Sequence, residues 1–145
     1  HINNIFFDRY VFKKRIEALK TKDSFYTPKG KLSAKEILEG VVNNKNIFLL
    51  VDQKDSAGSF INFFGKKVKT QTGFLKIARK HNLKIIPIKN IRLPDNTLQI
   101  TFEEPLEHNN DKISDDKKML EINAIVEQWI KANPENWFWQ HKRFN

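Results

Sequence analysis

Cysteine is absent from this sequence, which excludes disulfide bonds and any chemistry that depends on a thiolate. Long apolar runs are absent as well, and none approaches the roughly 18 residues that a membrane-spanning helix requires. Glycine-rich phosphate loops of the P-loop or dinucleotide-binding type are also missing. What remains is a chain of 145 residues, enough for one domain, whose 39% hydrophobic content can supply a packed core.

Positive charge is the strongest bias in the composition. Lysine and arginine together number 26 against 17 aspartates and glutamates, so the formal net charge is +9. This excess favours anionic partners, which include nucleic acid, lipid head groups and acidic proteins. Charge alone does not choose among them.

Apolar runs alternate with amphipathic segments and predict an α/β fold. The run at 47–51 lacks alternation, which is typical of a strand buried on both faces. Further strands are predicted at 59–64, 83–88 and 97–102, and helices at 9–21, 34–43, 71–81 and 115–132. This order predicts a mostly parallel sheet flanked by helices.

Two predicted helices carry capping signals at their starts. Ser33 and Glu36 form a capping-box pattern, in which the Ser33 hydroxyl accepts from the Glu36 backbone while the Glu36 carboxylate reaches back. Ser114 precedes two aspartates that suit the positive end of a helix dipole. The residues that this last helix is predicted to bury are Met119, Ile122, Val126, Trp129 and Ile130.

Candidate site residues follow the predicted strands. Asp52 and Gln53 come directly after the run at 47–51, and ligands of open α/β sheets bind outside the carboxyl ends of strands. Arg92 follows a later strand and is expected at the same sheet edge, where it could pair with a carboxylate or a phosphate. An ordinary polar loop is the alternative for Asp52, and a salt bridge to Asp52 or Asp95 is the alternative for Arg92.

The segment from 63 to 72 offers two further possibilities. Phe63 and Phe64 would point to opposite faces of a strand, so one of them could line an apolar channel unless both are buried between layers. The three lysines between residues 66 and 69 lie beside Thr70 and Thr72, and such cations and hydroxyls could hold a phosphate. A solvated surface run is the alternative for these lysines.

The four histidines form no recognisable site. None has the spacing of zinc ligands, and His1 has Phe6 rather than an acidic residue five positions later. No serine lies in a Gly-x-Ser-x-Gly context. The residues therefore indicate neither an acid–base pair nor an activated nucleophile, and no metal or cofactor is predicted.

The C-terminal segment 133–144 combines aromatic and cationic side chains after the last predicted helix. Trp137 and Trp139 are expected to clamp that helix to the sheet, and His141 and Arg143 follow them closely. Aromatic residues interleaved with cations also bind single-stranded nucleic acid or membrane interfaces. Packing on the core, with the charges in solvent, is the alternative.

This ending and several upstream motifs resemble one protein family, in the same order. The motifs are Asn3-Asn4-Ile-Phe-Phe-Asp8, Val51-Asp-Gln53, Phe63-Phe-Gly65, Thr72-Gly73, Ile77-Ala-Arg-Lys80, Ile86-Pro-Ile88 and Pro134-Glu-Asn-Trp-Phe-Trp-Gln-His-Lys-Arg-Phe144. They resemble the lipid A biosynthesis acyltransferases, the lauroyl and myristoyl transferases of Gram-negative bacteria. The resemblance covers nearly the whole chain, and Ile5 and Lys142 depart from the family's proline and arginine.

The resemblance implies a glycerolipid-acyltransferase-like fold and an enzyme on the cytoplasmic face of the bacterial inner membrane. Such an enzyme moves a fatty acyl chain from acyl carrier protein to a hydroxyl of a lipid A precursor, without a metal or bound cofactor. Its catalytic motif, a histidine with an aspartate or glutamate five residues later, precedes the segment that matches Asn3–Asp8. We therefore expect residues 1–145 to be the C-terminal part of one acyltransferase domain, inactive alone, with the membrane anchor and the dyad before His1.

The resemblance also implies which residues face or support the substrates: Asp52, Gln53, Phe63, Phe64, Gly65, Thr72, Arg92, His141 and Arg143. The partners it implies are acyl-acyl carrier protein, a lipid A precursor and an anionic membrane surface, with no nucleic acid expected. Two alternatives stay open: a basic non-enzymatic module that binds nucleic acid or anionic membrane, and a glycerolipid acyltransferase. An upstream histidine motif after an apolar helix is the feature that decides for a transferase.

Overall fold

The computed structural model describes residues 5–19, 31–107, 113–140 and 142–144, and the chain divides into two compact units, His1–Phe48 and Leu49–Asn145. The first unit contains helices α1 (Ile5–Leu19) and α2 (Lys31–Val42). The second contains β1 (Ser59–Phe63), β2 (Lys66–Thr70), α3 (Gly73–Lys80), β3 (Ile88–Arg92), β4 (Leu98–Phe102), α4 (Asp115–Ala132) and a short 3-10 helix (Pro134–Asn136).

Both helices predicted for the first unit are present, but each begins earlier than its pattern indicated. Helix α2 begins at Lys31, so Ser33 lies inside its first turn and not directly before the helix. The Ser33 side chain, on which the predicted capping box with Glu36 depends, lies outside the described residues. Ile37 and Val41 are both buried. Their spacing of four residues places them on one face of α2. Leu38 and Val42, whose apolar character also predicted an inward position, are exposed.

The predicted strand at 59–64 is confirmed as β1 and forms an antiparallel hairpin with β2. Phe64 and Gly65 make the turn with left-handed φ angles of 48° and 74°, a conformation that suits the twist of a two-residue hairpin. Strand β2 was not predicted, because its lysines conceal an alternation in which Val68 and Thr70 are buried.

The second sheet is a hairpin of β3 and β4, and it corrects one predicted strand. The strand predicted at 83–88 is not formed as a whole. Ile85 makes an isolated antiparallel bridge to Leu106, and regular pairing begins only at Ile88. Strand β3 begins directly after Pro87, whose missing N–H suits the edge of a ladder. Strand β4 agrees with the prediction at 97–102.

The chain mixes helices and strands as expected, but the prediction of a mostly parallel sheet is not borne out by the two sheets of the described residues, which are both antiparallel. Short turns join consecutive strands antiparallel, whereas a parallel pair needs a long crossover.

The strand predicted at 47–51 is also wrong. This segment has no regular secondary structure, and Phe48 and Leu50 are 74% and 73% exposed. An apolar run makes a strand only where another backbone pairs with it.

Helix α4 organises the core of the second unit. It begins as predicted at Ser114, whose hydroxyl accepts a hydrogen bond from the backbone of Lys117. Its buried residues contribute to two apolar clusters. The first comprises Met119, Ile122, Ile61 and Leu75, and the second comprises Ile130, Phe63 and Val68.

Two polar side chains of α4 fix the first hairpin to this helix. Asn123 is 1% exposed, and its side-chain amide donates to the carbonyl of Asn62 at 2.8 Å. One helical turn later, the Glu127 carboxylate accepts from the backbone N–H of Phe64 at 2.7 Å. These bonds satisfy backbone groups that the two-stranded ladder leaves unpaired. The bond to Phe64 also stabilises a left-handed backbone that a residue other than glycine rarely adopts.

Candidate functional site

Asp52 and Trp137 join the segment that precedes the first hairpin to the C-terminal tail. The indole Nε1 of Trp137 donates a hydrogen bond to Oδ2 of Asp52 at 2.9 Å, and both side chains are half-buried. The Trp137 ring also meets the Phe63 ring edge-on, with 5.9 Å between centroids. The tail is therefore held by a polar contact and an apolar contact at the same residue.

Arg143 is the most deeply buried cation among the described residues. Only 1% of Arg143 is exposed. Its Nη1 donates a hydrogen bond to the carbonyl of Lys69 at 2.5 Å, and its Nη2 donates one to the hydroxyl of Thr70 at 2.7 Å. Burial lowers the pKa of Arg143 from its ordinary value, while the charge of Asp52 acts in the opposite direction. Within the described part of the chain, the direct partners are a carbonyl and a hydroxyl rather than a carboxylate, and Nε is buried without a hydrogen-bond partner.

Arg143 also protects the outer edge of β2. The Lys69 carbonyl that it binds accepts from the backbone N–H of Asp55 as well, at 3.3 Å. This carbonyl points away from β1, since a two-stranded sheet leaves one row of polar groups unpaired on each outer edge. The tail thus covers part of an edge that another chain could otherwise extend.

Aromatic rings fill the space between hairpin and tail. Phe63 is fully buried, with the rings of Phe64, Phe144 and Trp137 within 4.9–5.9 Å of its own and the Arg143 guanidinium 5.2 Å above it. Phe64 belongs to the turn and not to the strand, which corrects the expectation that the two phenylalanines alternate across a sheet. For Phe63, burial is the alternative that the structure supports.

Three further predicted site residues lie next to Asp52 or in and beside the first hairpin. Gln53 is exposed next to Asp52, and Gly65 occupies the hairpin turn. Thr72 precedes α3 with its hydroxyl 3.5 Å from that of Ser59. His141 lies outside the described residues.

Arg92 reaches the tail through its backbone. It is exposed at the end of β3, and its N–H donates to the Asn136 side chain at 2.7 Å. Among the ion pairs of the described residues, none joins Arg92 to Asp52 or Asp95, so the structure does not contain the salt bridge that was the alternative interpretation of Arg92. Because Asn136 adjoins Trp137, the tail connects the end of β3 to Asp52.

The sequence misassigned Thr70 and Trp139, whereas its prediction for Trp137 is confirmed. Thr70 was considered as a phosphate ligand, but it binds Arg143, and the alternation of Val68 and Thr70 was the signal available. Trp137 packs against the cluster of Phe63, Val68 and Ile130, which confirms it as a clamp between helix and hairpin. Trp139 remains 58% exposed, so the same role predicted for it is wrong.

An open groove of about 400 Å³ lies elsewhere on the second unit. Its lining residues are Pro87, Glu103, Glu104, Leu106, Ile125, Gln128 and Trp129. The two carboxylates disfavour an anionic ligand, and none of the predicted site residues lines the groove. The cluster around Asp52 and Arg143 is therefore the better candidate.

The part of the chain that the structure describes contains no group of three acidic or histidine side chains that could hold a metal ion. Within the same residues, no helix combines the length and the apolar character needed to cross a membrane.

A family model described as bacterial lipid A biosynthesis acyltransferase matches residues 3–145, so it covers both units and every residue of the cluster. No curated protein matches the chain. The resemblance that the motifs indicated is confirmed by this match.

Proposed function

Since the chain belongs to the bacterial lipid A biosynthesis acyltransferase family, we propose that it forms the C-terminal part of an enzyme that transfers a fatty acyl chain from acyl carrier protein to a lipid A precursor. The family match over residues 3–145 carries this proposal. An acyltransferase role in lipid A synthesis follows from family membership. Three further points are proposals. The acyl donor is acyl carrier protein, the enzyme acts on the cytoplasmic face of the inner membrane, and other segments complete a mostly parallel sheet.

Acyl transfer to a hydroxyl needs a base for the hydroxyl proton and donors for the oxyanion that forms at the thioester carbonyl. No histidine of this sequence precedes an acidic residue by five positions; for His81, the position holds Ile86. We therefore assign the base and its orienting carboxylate to a segment upstream of His1. Residues 1–145 alone are inactive under this assignment.

The cluster of Asp52, Trp137 and Arg143 supports the catalytic segment in this proposal. Asp52 is half-buried and, among the described residues, accepts a hydrogen bond from the neutral indole of Trp137, so its carboxylate can accept a second hydrogen bond. Such a carboxylate suits a group that holds a substrate hydroxyl or supports the upstream dyad. Arg143 holds the tail in place and does not itself meet the substrate, because its guanidinium is buried.

The basic surface attracts both proposed substrates. A lipid A precursor carries phosphates, and acyl carrier protein is acidic, so a net charge of +9 favours both. Each lysine or arginine near an anionic lipid surface contributes about 1 kcal/mol.

Radiolabelled acyl transfer tests the proposal. The donor is acyl-acyl carrier protein and the acceptor is a lipid A precursor, and the assay compares residues 1–145 with a polypeptide extended upstream through the expected histidine motif. We expect label in the lipid only with the extended polypeptide, and a lower rate when Asp52 is changed to Asn. Exchange of exposed Gln99 for Glu, on β4, serves as the control that leaves the rate unchanged.

Three outcomes contradict parts of the proposal. Turnover by residues 1–145 alone contradicts the assignment of the catalytic dyad to an upstream segment. Transfer to glycerol phosphate but not to a lipid A precursor identifies a glycerolipid acyltransferase. An extended polypeptide that transfers to neither acceptor, while residues 1–145 bind single-stranded nucleic acid in a salt-dependent manner, favours a basic binding module.

A further inference from the structure

The tail and the turn end of the first hairpin expose aromatic rings and lysines together. We call Lys66, Phe138, Trp139, Lys142 and Phe144 the aromatic–lysine surface. Phe138 and Trp139 are 66% and 58% exposed, Phe144 is 39% exposed, and both lysines are exposed. Large exposed aromatic rings beside one another are uncommon on a soluble surface and mark sites of interaction.

Contacts beneath this surface fix it in place. The Phe144 ring stacks on buried Phe63, with centroids 5.8 Å apart, and Lys66 places its Nζ 5.9 Å from the centroid of Phe144. Trp139 meets the ring of Trp137 at 4.7 Å, and Trp137 is bonded to Asp52. The rings of Phe144 and Trp139 are therefore held by contacts within the protein before any partner binds, which reduces the entropy lost on binding.

The segments that form this surface carry one sign of charge. Residues 60–70 contain three lysines and residues 137–144 contain a lysine and an arginine, and neither segment contains an aspartate or a glutamate. Glu127, which reaches the hairpin turn from α4, binds the Phe64 backbone and lies 3.9 Å from Lys131. Glu135 adjoins Pro134, whose carbonyl binds Trp139, so one acidic side chain also lies near the rings. The four lysines of the two segments outnumber it, and the net charge favours an anionic partner.

The hydrogen bonding of Trp139 favours a lipid partner. Its indole N–H donates to the carbonyl of Pro134 at 2.6 Å, so this polar group is satisfied within the protein. Phe138 and Phe144 have no polar group to offer. The surface thus presents hydrocarbon bordered by cations, the combination that binds at the boundary between acyl chains and anionic head groups.

We propose that the aromatic–lysine surface docks on the interface of a membrane that contains anionic lipid. The proposal rests on the proposed function, in which the acceptor is itself a membrane lipid, and it adds the residues through which this part of the chain meets the bilayer. The rings of Phe138 and Trp139 enter the head-group region, while Lys66 and Lys142 contact lipid phosphates.

Co-sedimentation with vesicles tests this surface, using the full chain of residues 1–145. The vesicles are phosphatidylcholine alone or an equal mixture of phosphatidylcholine and phosphatidylglycerol. We expect binding to the mixed vesicles that weakens with added salt. The double change Phe138→Ala and Trp139→Ala should weaken it at least about tenfold, because two exposed rings no longer leave water. Lys142→Ala should weaken it about fivefold, which corresponds to about 1 kcal/mol.

Matched variants test whether binding depends on the aromatic–lysine surface itself and not on the loss of any exposed ring or lysine. Phe102→Ala removes a ring that is 64% exposed on β4, and Lys80→Ala removes an exposed lysine of α3; both should bind like the parent chain. Phe138→Leu with Trp139→Phe keeps apolar side chains at both positions and should restore most of the binding. Circular dichroism of every variant reports whether it is folded.

The proposal is overturned if the double alanine variant, folded by circular dichroism, binds as well as the parent chain. Equal losses from Phe102→Ala overturn it as well, and so does binding to single-stranded nucleic acid in place of vesicles. Acyl transfer by the extended polypeptide is measured separately with acceptor dispersed in detergent. Loss of vesicle binding with transfer retained contradicts only the surface, whereas failed transfer with vesicle binding retained contradicts only the proposed reaction.

Discussion

Trp137 and Asp52 lie 85 residues apart in the sequence, and a hydrogen bond of 2.9 Å joins the indole Nε1 of one to the carboxylate of the other. The bond ties the tail to the segment that enters the first hairpin. It also holds the carboxylate that we propose to support catalysis. Removing it should therefore affect both the stability of the second unit and the placement of Asp52.

Trp137→Phe removes this bond but keeps an aromatic ring against Phe63. We expect the free energy of unfolding to fall by about 1–2 kcal/mol, since the acceptor is charged and half-buried. Urea denaturation followed by circular dichroism measures the change. Trp139→Phe is the matched control, because its indole bonds to a carbonyl at an exposed position and should cost less than about 1 kcal/mol. Equal costs for the two variants contradict the special role of Trp137.

Arg143→Ala removes two hydrogen bonds and empties a buried site above Phe63. We expect a loss of about 3 kcal/mol in the free energy of unfolding, because two acceptors on β2 lose a charged donor. Thr70→Val, which removes one of these acceptors, should cost about 1 kcal/mol. The double variant should show a coupling of about 1 kcal/mol between the two positions. Strict additivity, measured by the same urea titrations, contradicts a direct contact.

Gly58→Ala should strongly destabilise the first hairpin. An added Cβ would lie 2.2 Å from the Thr70 carbonyl oxygen and 2.5 Å from the carbonyl carbon, so backbone atoms of β2 would have to move. We expect a cost of about 3 kcal/mol, at the upper end for overpacking. Gly73→Ala is the control, since a Cβ there meets nothing within 4 Å and alanine favours the helix that Gly73 begins. Thermal unfolding should give a lower midpoint for the first variant and an equal or higher midpoint for the second.

The pKa of Asp95 reports on the hydrogen bonds that stabilise the turn between β3 and β4. Its carboxylate accepts from the hydroxyl and from the backbone N–H of Thr97, and these bonds lower the pKa of Asp95. A lowered pKa in the folded chain means that the stabilisation is present above the ordinary aspartate pKa and is lost as the pH falls through the lowered value. NMR titration should show that Thr97→Ala raises the pKa of Asp95, whereas Thr97→Ser does not. An unchanged pKa in the alanine variant contradicts the bond as its cause.

Local patterns in the sequence determined the elements whose signals are local. The cap at Ser114 is present as predicted. Of the apolar stripe predicted for α4, Met119, Ile122 and Ile130 are buried, whereas Val126 and Trp129 are only half-buried. Strand β4 and the extent of β1 also followed from short runs between turn residues. The tail motif Pro134–Phe144 indicated the family, because its aromatic and charged residues form a specific pattern even without a structure, and the family match confirms it.

Strand pairing was not determined in this way. The run at 47–51 has the composition of a buried strand, yet no described strand pairs with it. Strand β2 has the composition of a solvated run, yet Val68 and Thr70 become buried once α4 and the tail cover one of its faces. Whether a segment joins a ladder depends on a partner backbone elsewhere in the chain, and its own residues do not record that partner.

The sequence by itself determined the helical periodicity of α4, the strong positive charge and the family. These properties depend on neighbouring residues or on composition. Only the tertiary structure decided that Asp52 meets Trp137 and that Arg143 is buried against Lys69 and Thr70. Contacts between residues 73 to 85 positions apart leave no local periodicity, because they exist only after α4 and the tail have folded back onto the first hairpin.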